Sequence, residues 1–208
     1  MKKLHRFRSA RETKLRRENA KKARQAAKGL YPHEKWELLE NGILMAKSRM
    51  PRSAEQIRIL EKELQQARIL VERGSTVYLL PEISLSNEKH IKYPDAVVDG
   101  YIMEFKTITG SIRQVEERYK EGRAKAAYIF LKIDARLSRH EVTQKLSGYI
   151  KRKGYSGGII LAYFTRNGEF YQWTEAELAA SSLGKKNPGL ATRRLSRVSR
   201  ICRNTPDG

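Results

Sequence analysis

The 208-residue chain carries 43 Lys and Arg against 23 Asp and Glu, a formal net charge of +20, and is long enough for one well-buried domain with length to spare for tails. No apolar run approaches the roughly 18 residues of a membrane span, the basic start has no apolar segment of a secretory signal behind it, and the one cysteine, Cys202, makes neither an intramolecular disulfide nor a cysteine-rich zinc site. These features argue against a membrane span or a disulfide-built fold and point to a cytoplasmic site of action, compatible with export by a non-Sec route.

The charge belongs to the ends. Residues 1–28 hold twelve Lys/Arg and two Glu, residues 184–208 hold seven Lys/Arg and one Asp, and residues 29–183 are left with about +4. The expected organisation is a basic N-terminal arm (1–28), a central domain (29–183) and a basic C-terminal tail (184–208). Such arms suit nucleic-acid phosphates, whose neutralisation releases counterions whatever the base sequence. Neither has the apolar face of an interfacial helix.

In chain order, the arm is charged and compatible with a helix ending near Gly29. Residues 32–50 place Trp36, Leu39, Ile43 and Met50 on one helical face and predict a single helix, weakened by Gly42 and ended by Pro51. Ser53 and Gln56 make a capping-box pattern that opens a helix from Ala54 to Arg73, stopped by Gly74. "TVYLLP" reads as a buried strand, and 81–94 as a long polar loop of the kind that tends to be functional. Asp99-Gly100, between "AVV" and "YIMEFKT", is the strongest short-range hairpin signal. Residues 111–124 predict a helix with Glu116 and Lys120 four apart. "AAYIFLKID" predicts a strand, 138–152 a helix and "GGIILAYF" a strand. Asn167-Gly168 turns into a last strand, and "TEAE" caps a short helix. The sum is an α/β domain with a central mixed sheet flanked by helices.

Pairing the hairpin outward from Asp99-Gly100 sets Ala96 against Met103 and Asp95 against Glu104. Opposed residues point to one face with Cβ atoms roughly 4.5–5.5 Å apart, and the period of two puts Lys106 on that face as well. Two opposed carboxylates repel unless compensated. A divalent cation removes the conflict, and a neighbouring Lys106 places positive charge where a phosphorane or a leaving oxygen would need it. In the helix after Ser53, the residues Ile59, Leu60, Leu64, Ala67, Leu70 and Val71 fall in one apolar arc, and Glu63 falls inside it. A carboxylate on a buried face is costly unless paired or metal-bound.

"YPD" followed by "MEFK" resembles the PD-(D/E)XK nuclease motif, Pro94-Asp95 supplying the first half and Glu104-Phe105-Lys106 the second. With "EKELQQARILVERGSTVYLLPE" ahead of it, the stretch from about 55 to 165 is similar to the tRNA-nuclease C-terminal domains of CdiA-type contact-dependent toxins and related mobile-element proteins. The resemblance implies a restriction-endonuclease-like core of αβββαβ order. It implies metal ligation by Asp95, Glu104 and the Phe105 carbonyl, a water-orienting or transition-state role for Lys106, and Glu63 completing the site as a further metal ligand. It further implies a Mg²⁺ cofactor, with Mn²⁺ or Zn²⁺ as alternatives, a nucleic-acid substrate with tRNA ahead of DNA, and a place for an immunity or partner protein. Gln114, Arg123 and Gln144, on which substrate choice would depend, find no match in that pattern. The alternatives are a DNA-processing nuclease of a phage or mobile element, and a basic nucleic-acid-binding protein whose acidic cluster is structural.

Other patterns carry less. "GYSGG" at 154–158 matches a nucleophile motif, but a helix precedes it and a strand follows, the reverse of a nucleophile elbow. His5, His33, His90 and His140 show no metal spacing. Tyr163, Phe164, Phe170, Tyr171 and Trp173 suit core packing before base stacking.

Overall fold

The computed structural model describes residues 10–40, 42–81 and 93–181. Its elements are α1 (Ala10–Leu30), β1 (Trp36–Glu40), β2 (Ile43–Ala46), a 3₁₀ turn (Lys47–Arg49), α2 (Ala54–Glu72), β3 (Val77–Leu79), β4 (Ala96–Val98), β5 (Tyr101–Ile108), α3 (Ile112–Arg123), β6 (Tyr128–Ile133), α4 (Arg139–Lys153), β7 (Ile159–Phe164), β8 (Glu169–Thr174) and α5 (Glu175–Ala180). The eight strands form one mixed sheet in the order β1 to β8. Pairings β2–β3, β5–β6 and β6–β7 are parallel and the rest antiparallel. This is the expected α/β arrangement, a central mixed sheet with flanking helices. No described helix is long and apolar enough to cross a membrane. Most of the polar loop expected over 81–94, the C-terminal tail, His5, His90 and Cys202 lie outside the described residues.

Strand alternation divides the core. On one face Met103 and Phe105 join Val77, Leu79, Ala96, Val98 and Phe130 beneath Ala67 and Leu70 of α2. On the other, Ile108, Ile129, Leu131, Ile160 and Trp173 pack under α3, α4 and α5, and Tyr78, Leu80 and Val97 pack under Ala23 and Ala27 of α1. Both alanines are fully buried. The basic segment therefore does not stand clear of the domain: from Ala10 it is a helix, and its small-residue stripe lies on β3 and β4.

One expected helix is absent. Residues 32–50 fold as the β1–β2 hairpin and a 3₁₀ turn, with Trp36 opposite Ala46 and Leu38 opposite Leu44. Gly42 has φ +96°, which a right-handed helix does not admit, and Asn-Gly is a hairpin dipeptide. Ile43 and Met45 enter the α2 face while Leu44 packs near α1. A strand covered on both faces reads as a continuous apolar run, which a helical spacing search also accepts.

The α2 boundaries follow the sequence reading. Ser53 accepts the Gln56 N–H at 3.2 Å, and the Gln56 side chain accepts from the Arg52 N–H at 2.7 Å. At the β4–β5 turn, Asp99 and Gly100 have φ 52° and 98°, the two left-handed residues of a tight hairpin. Asp99 is buried, accepts the Thr76 N–H at 2.8 Å, and is pushed up to about 6 by burial, against the pull of Thr76, Ser75 and Arg16. A carboxyl raised above its unfolded value of 3.8 favours the fold at lower pH, and that contribution is lost as pH rises through about 6. Asp99→Asn keeps the acceptor and tolerates positive φ. It is expected to gain on the order of 2 kcal/mol above pH 7 and to flatten the slope of stability between pH 4 and 6. Urea unfolding of both proteins across that range checks it, and parallel pH profiles would contradict it.

Candidate active site

The hairpin register is Val98 with Tyr101, Val97 with Ile102 and Ala96 with Met103, as the Asp-Gly turn predicts. One step further Asp95 drops out of the pairing with β5 but stays alongside β3, its carbonyl accepting the Leu80 N–H at 2.9 Å, and its Oδ2 accepts the Phe105 N–H at 2.8 Å. An extended residue projects N–H and C=O to the same edge, so the Phe105 carbonyl faces the Asp95 side too. Because Met103 and Phe105 enter the α2 face, Glu104 and Lys106 lie with Ile108 on the other. Asp95 shares that side with Val97 by the same alternation.

Glu104 is wholly buried, with Gly122 of α3 close to its Cγ. Its Oε1 accepts from Lys106 Nζ at 2.7 Å and pairs with Lys125 Nζ at 2.8 Å. Its Oε2 is buried and has no hydrogen-bond partner among the described residues. Burial raises the Glu104 pKa first, the Asp95 charge adds to it, and the two lysines only partly offset the rise. For Lys125, burial alone would lower the pKa. The bond to Glu104 and the charges of Glu104, Asp95 and Glu63 reverse it to a net increase. An unsatisfied buried oxygen costs about 1–3 kcal/mol, and a cation is one ligand that would satisfy it.

Glu63 is buried, as its place in the apolar arc predicts, although Ile59 of the same arc is 38% exposed. Its carboxylate is held by the Arg49 guanidinium, which also donates to the Leu80 carbonyl and, at 3.4 Å, to that of Asp95. Glu63 thus approaches from α2, on the opposite face of the sheet, at the end where β3 stops and β4 starts. It reaches the Asp95–Glu104 side through Arg49 and by its charge on Lys125. Among the described residues no group of three or more His, Cys, Asp or Glu side chains is arranged to hold a metal. Glu63, expected among the metal ligands, is engaged by Arg49 on the other face; on the Asp95–Glu104 side the oxygens to offer a cation are those of Asp95, Glu104 and the Phe105 carbonyl. Mg²⁺ is commonly held by one or two carboxylates, with water completing its shell.

Sequence spacing missed two residues here. Lys125 stands at the α3–β6 junction, and only the β5–α3–β6 crossover brings it back to the start of β5. Arg49 was hidden by the mistaken helix over 32–50. Its nearest sequence signal is a lone arginine before Pro51.

Two of the three residues left unmatched have structural partners. The Gln114 side chain accepts from Thr109 and Gly110 N–H at 2.8 and 2.9 Å. Arg123 bonds Glu175 at 2.7 Å. Gln144 lines a groove of about 340 Å³ beside Ile112 and Arg152, at the opposite end of α3. In "GYSGG", Gly154 ends α4 in the left-handed region. Phe164, Phe170, Tyr171 and Trp173 are buried. No family model, curated protein or solved structure matches this chain.

Proposed function

We propose that this protein is a metal-dependent nuclease of the PD-(D/E)XK type, hydrolysing phosphodiester bonds of RNA (tRNA) ahead of DNA, in a toxin-like or mobile-element setting. The observation that carries this reading is Glu104, a wholly buried carboxylate with one oxygen unpartnered, on the same face as Asp95 and beside two lysines. Asp95, Glu104 and the Phe105 carbonyl would hold the ion, Mg²⁺ before Mn²⁺ or Zn²⁺. When bound, the ion supplies an activated water and charge neutralisation at the phosphate.

The protein's own residues account for the rest. Lys106 is 17% exposed at its side chain and has the reach to turn from Glu104 towards an attacking water or a phosphate oxygen. Lys125 would then remain on Oε1, so the buried carboxylate keeps a counter-charge. The Phe105 N–H fixes Asp95, leaving its orientation independent of the ion. Glu63, through Arg49, anchors the Asp95 carbonyl. Action on tRNA would place the target in a cytoplasm, and a toxin role would call for an immunity protein.

Incubating the purified chain separately with tRNA and duplex DNA, with Mg²⁺, Mn²⁺ or Zn²⁺ or with chelator, tests this. Cleavage that appears with metal and vanishes with chelator is expected. Binding without cleavage under every metal would favour the second reading, a non-catalytic nucleic-acid-binding protein. The observation behind that reading is the pairing of one Glu104 oxygen with both lysines and of Glu63 with Arg49.

A further inference from the structure

The α1 helix carries a pattern that the position of its buried face exposes. Lys14, Arg17, Lys21, Arg24 and Lys28 recur at spacings of three and four, so at about 100° per residue they fall within an arc of roughly 80°. Ala23 and Ala27 mark the opposite flank, buried on Tyr78, Leu80 and Val97. All five cations are exposed, and none forms a salt bridge with another described residue. At 1.5 Å per residue the stripe is roughly 21 Å long, with a cation about every 5 Å. One nucleic-acid strand presents a phosphate about every 3.4 Å of axis, so the stripe runs alongside some six of them.

Docking makes this more than a charged tail. The helix is fixed on β3 and β4, on the sheet face that also carries Asp95, Glu104 and Lys106. Lys22 packs against the tip of the β4–β5 hairpin at Gly100. The cations are therefore held in register with the hairpin that bears the candidate site, and α3 bounds the same face from the other side.

We propose that the Lys14–Arg17–Lys21–Arg24–Lys28 face of α1 is the docking surface for the phosphate backbone of a nucleic acid, held alongside the Asp95–Glu104 site. The placement of the strand relative to that site rests on the nuclease reading; the surface itself does not. Lysine and glutamine have similar helix propensities, so Lys14→Gln/Lys21→Gln/Lys28→Gln in the full chain should leave the fold intact, which circular dichroism checks. The control is Lys62→Gln/Lys153→Gln, two exposed positions on α2 and α4.

Fluorescence anisotropy with labelled single-stranded RNA and duplex DNA, in chelator, gives log K against log salt for each protein. The slope should become shallower by roughly 2–3 for the stripe variant, at 0.7–0.9 per lost phosphate contact, and little for the control. Equal changes in the two variants would overturn the proposal, as would an absence of nucleic-acid binding by the unmodified chain. If the stripe variant instead lost binding to polyglutamate and kept its nucleic-acid slope, the occupant would be an acidic polypeptide and the proposal would fail. Loss of slope in a chain that never cleaves would retire the nuclease reading and keep the surface; cleavage with an unchanged slope would do the reverse.

Discussion

Lys106→Ala and Asp95→Asn are each expected to slow cleavage about a hundredfold or more while leaving the fold and nucleic-acid affinity largely unchanged. The fold should survive Lys106→Ala because Glu104 keeps its second partner, Lys125, at 2.8 Å, so no buried carboxylate is left without a counter-charge. Asp95→Asn keeps an oxygen for the Phe105 N–H, which Asp95 holds at 2.8 Å, and removes the charge that a cation would need. Single-turnover cleavage, read beside anisotropy and thermal unfolding of the same samples, separates the three quantities. Full activity in both variants would assign the acidic cluster a structural role. A variant that lost stability in step with activity would also count against a chemical role for its residue.

The largest effect on stability is expected outside that cluster, at Glu175, whose partner Arg123 lies on α3 next to Gly122. Glu175 is wholly buried at the start of α5. One oxygen accepts from the Tyr119 hydroxyl and, at 2.7 Å, from Arg123. The other accepts the Gly158 N–H at 2.7 Å. Burial, followed by the Glu175 bond and charge, drives the Tyr119 pKa above the ordinary phenol range. Glu175→Ala would leave a partly buried guanidinium, a buried hydroxyl and a buried amide without their acceptor. Breaking a buried pair from one side costs about 3–5 kcal/mol, a large part of a domain's total stability. Glu175→Gln retains an acceptor and should lose clearly less. Urea midpoints of the two variants decide the matter: equal losses would mean that the charge and not the hydrogen-bond geometry holds the network, and a loss below about 1 kcal/mol would mean that the three partners find water instead.

Much of this architecture is legible in local sequence because local chemistry decides it. Asp-Gly at 99–100 fixes a tight turn, the turn fixes the register, and the register places Glu104 and Lys106 on one face without any tertiary knowledge. Glu63 announces itself as a polar residue inside an apolar arc. Where two local signals compete, the reading fails. Over 32–50 an Asn-Gly turn and a helical spacing point in different directions, and only the sheet on both sides of Ile43–Ala46 resolves them. Partners of charged groups are less legible still. Glu116 has Lys120 one turn away, yet it pairs with Lys145 at 2.6 Å and Arg152 at 2.9 Å on α4, because helix packing brings those cations closer. Lys125 and Arg49 belong to the same class: their meaning depends on a crossover and a strand end that no spacing rule contains.

The order β1 to β8 across the sheet has a bearing on how the chain reaches its structure. Each strand lies beside its predecessor in the sequence, so none has to be threaded between two that are already paired. Assembly can follow synthesis, each new strand adding to a finished edge, with the loop-closure entropy of each step set by one hairpin or one crossover. Asp95, Glu104, Lys106 and Lys125 fall within consecutive elements of that series, and Arg49 and Glu63 precede them. The acidic cluster and its counter-charges would therefore be complete once β6 has docked, before α4, β7 and β8 have left the ribosome. The latter part of the chain then serves to close the far edge of the sheet and to bury the Glu175 network, a division of labour written into the strand order itself.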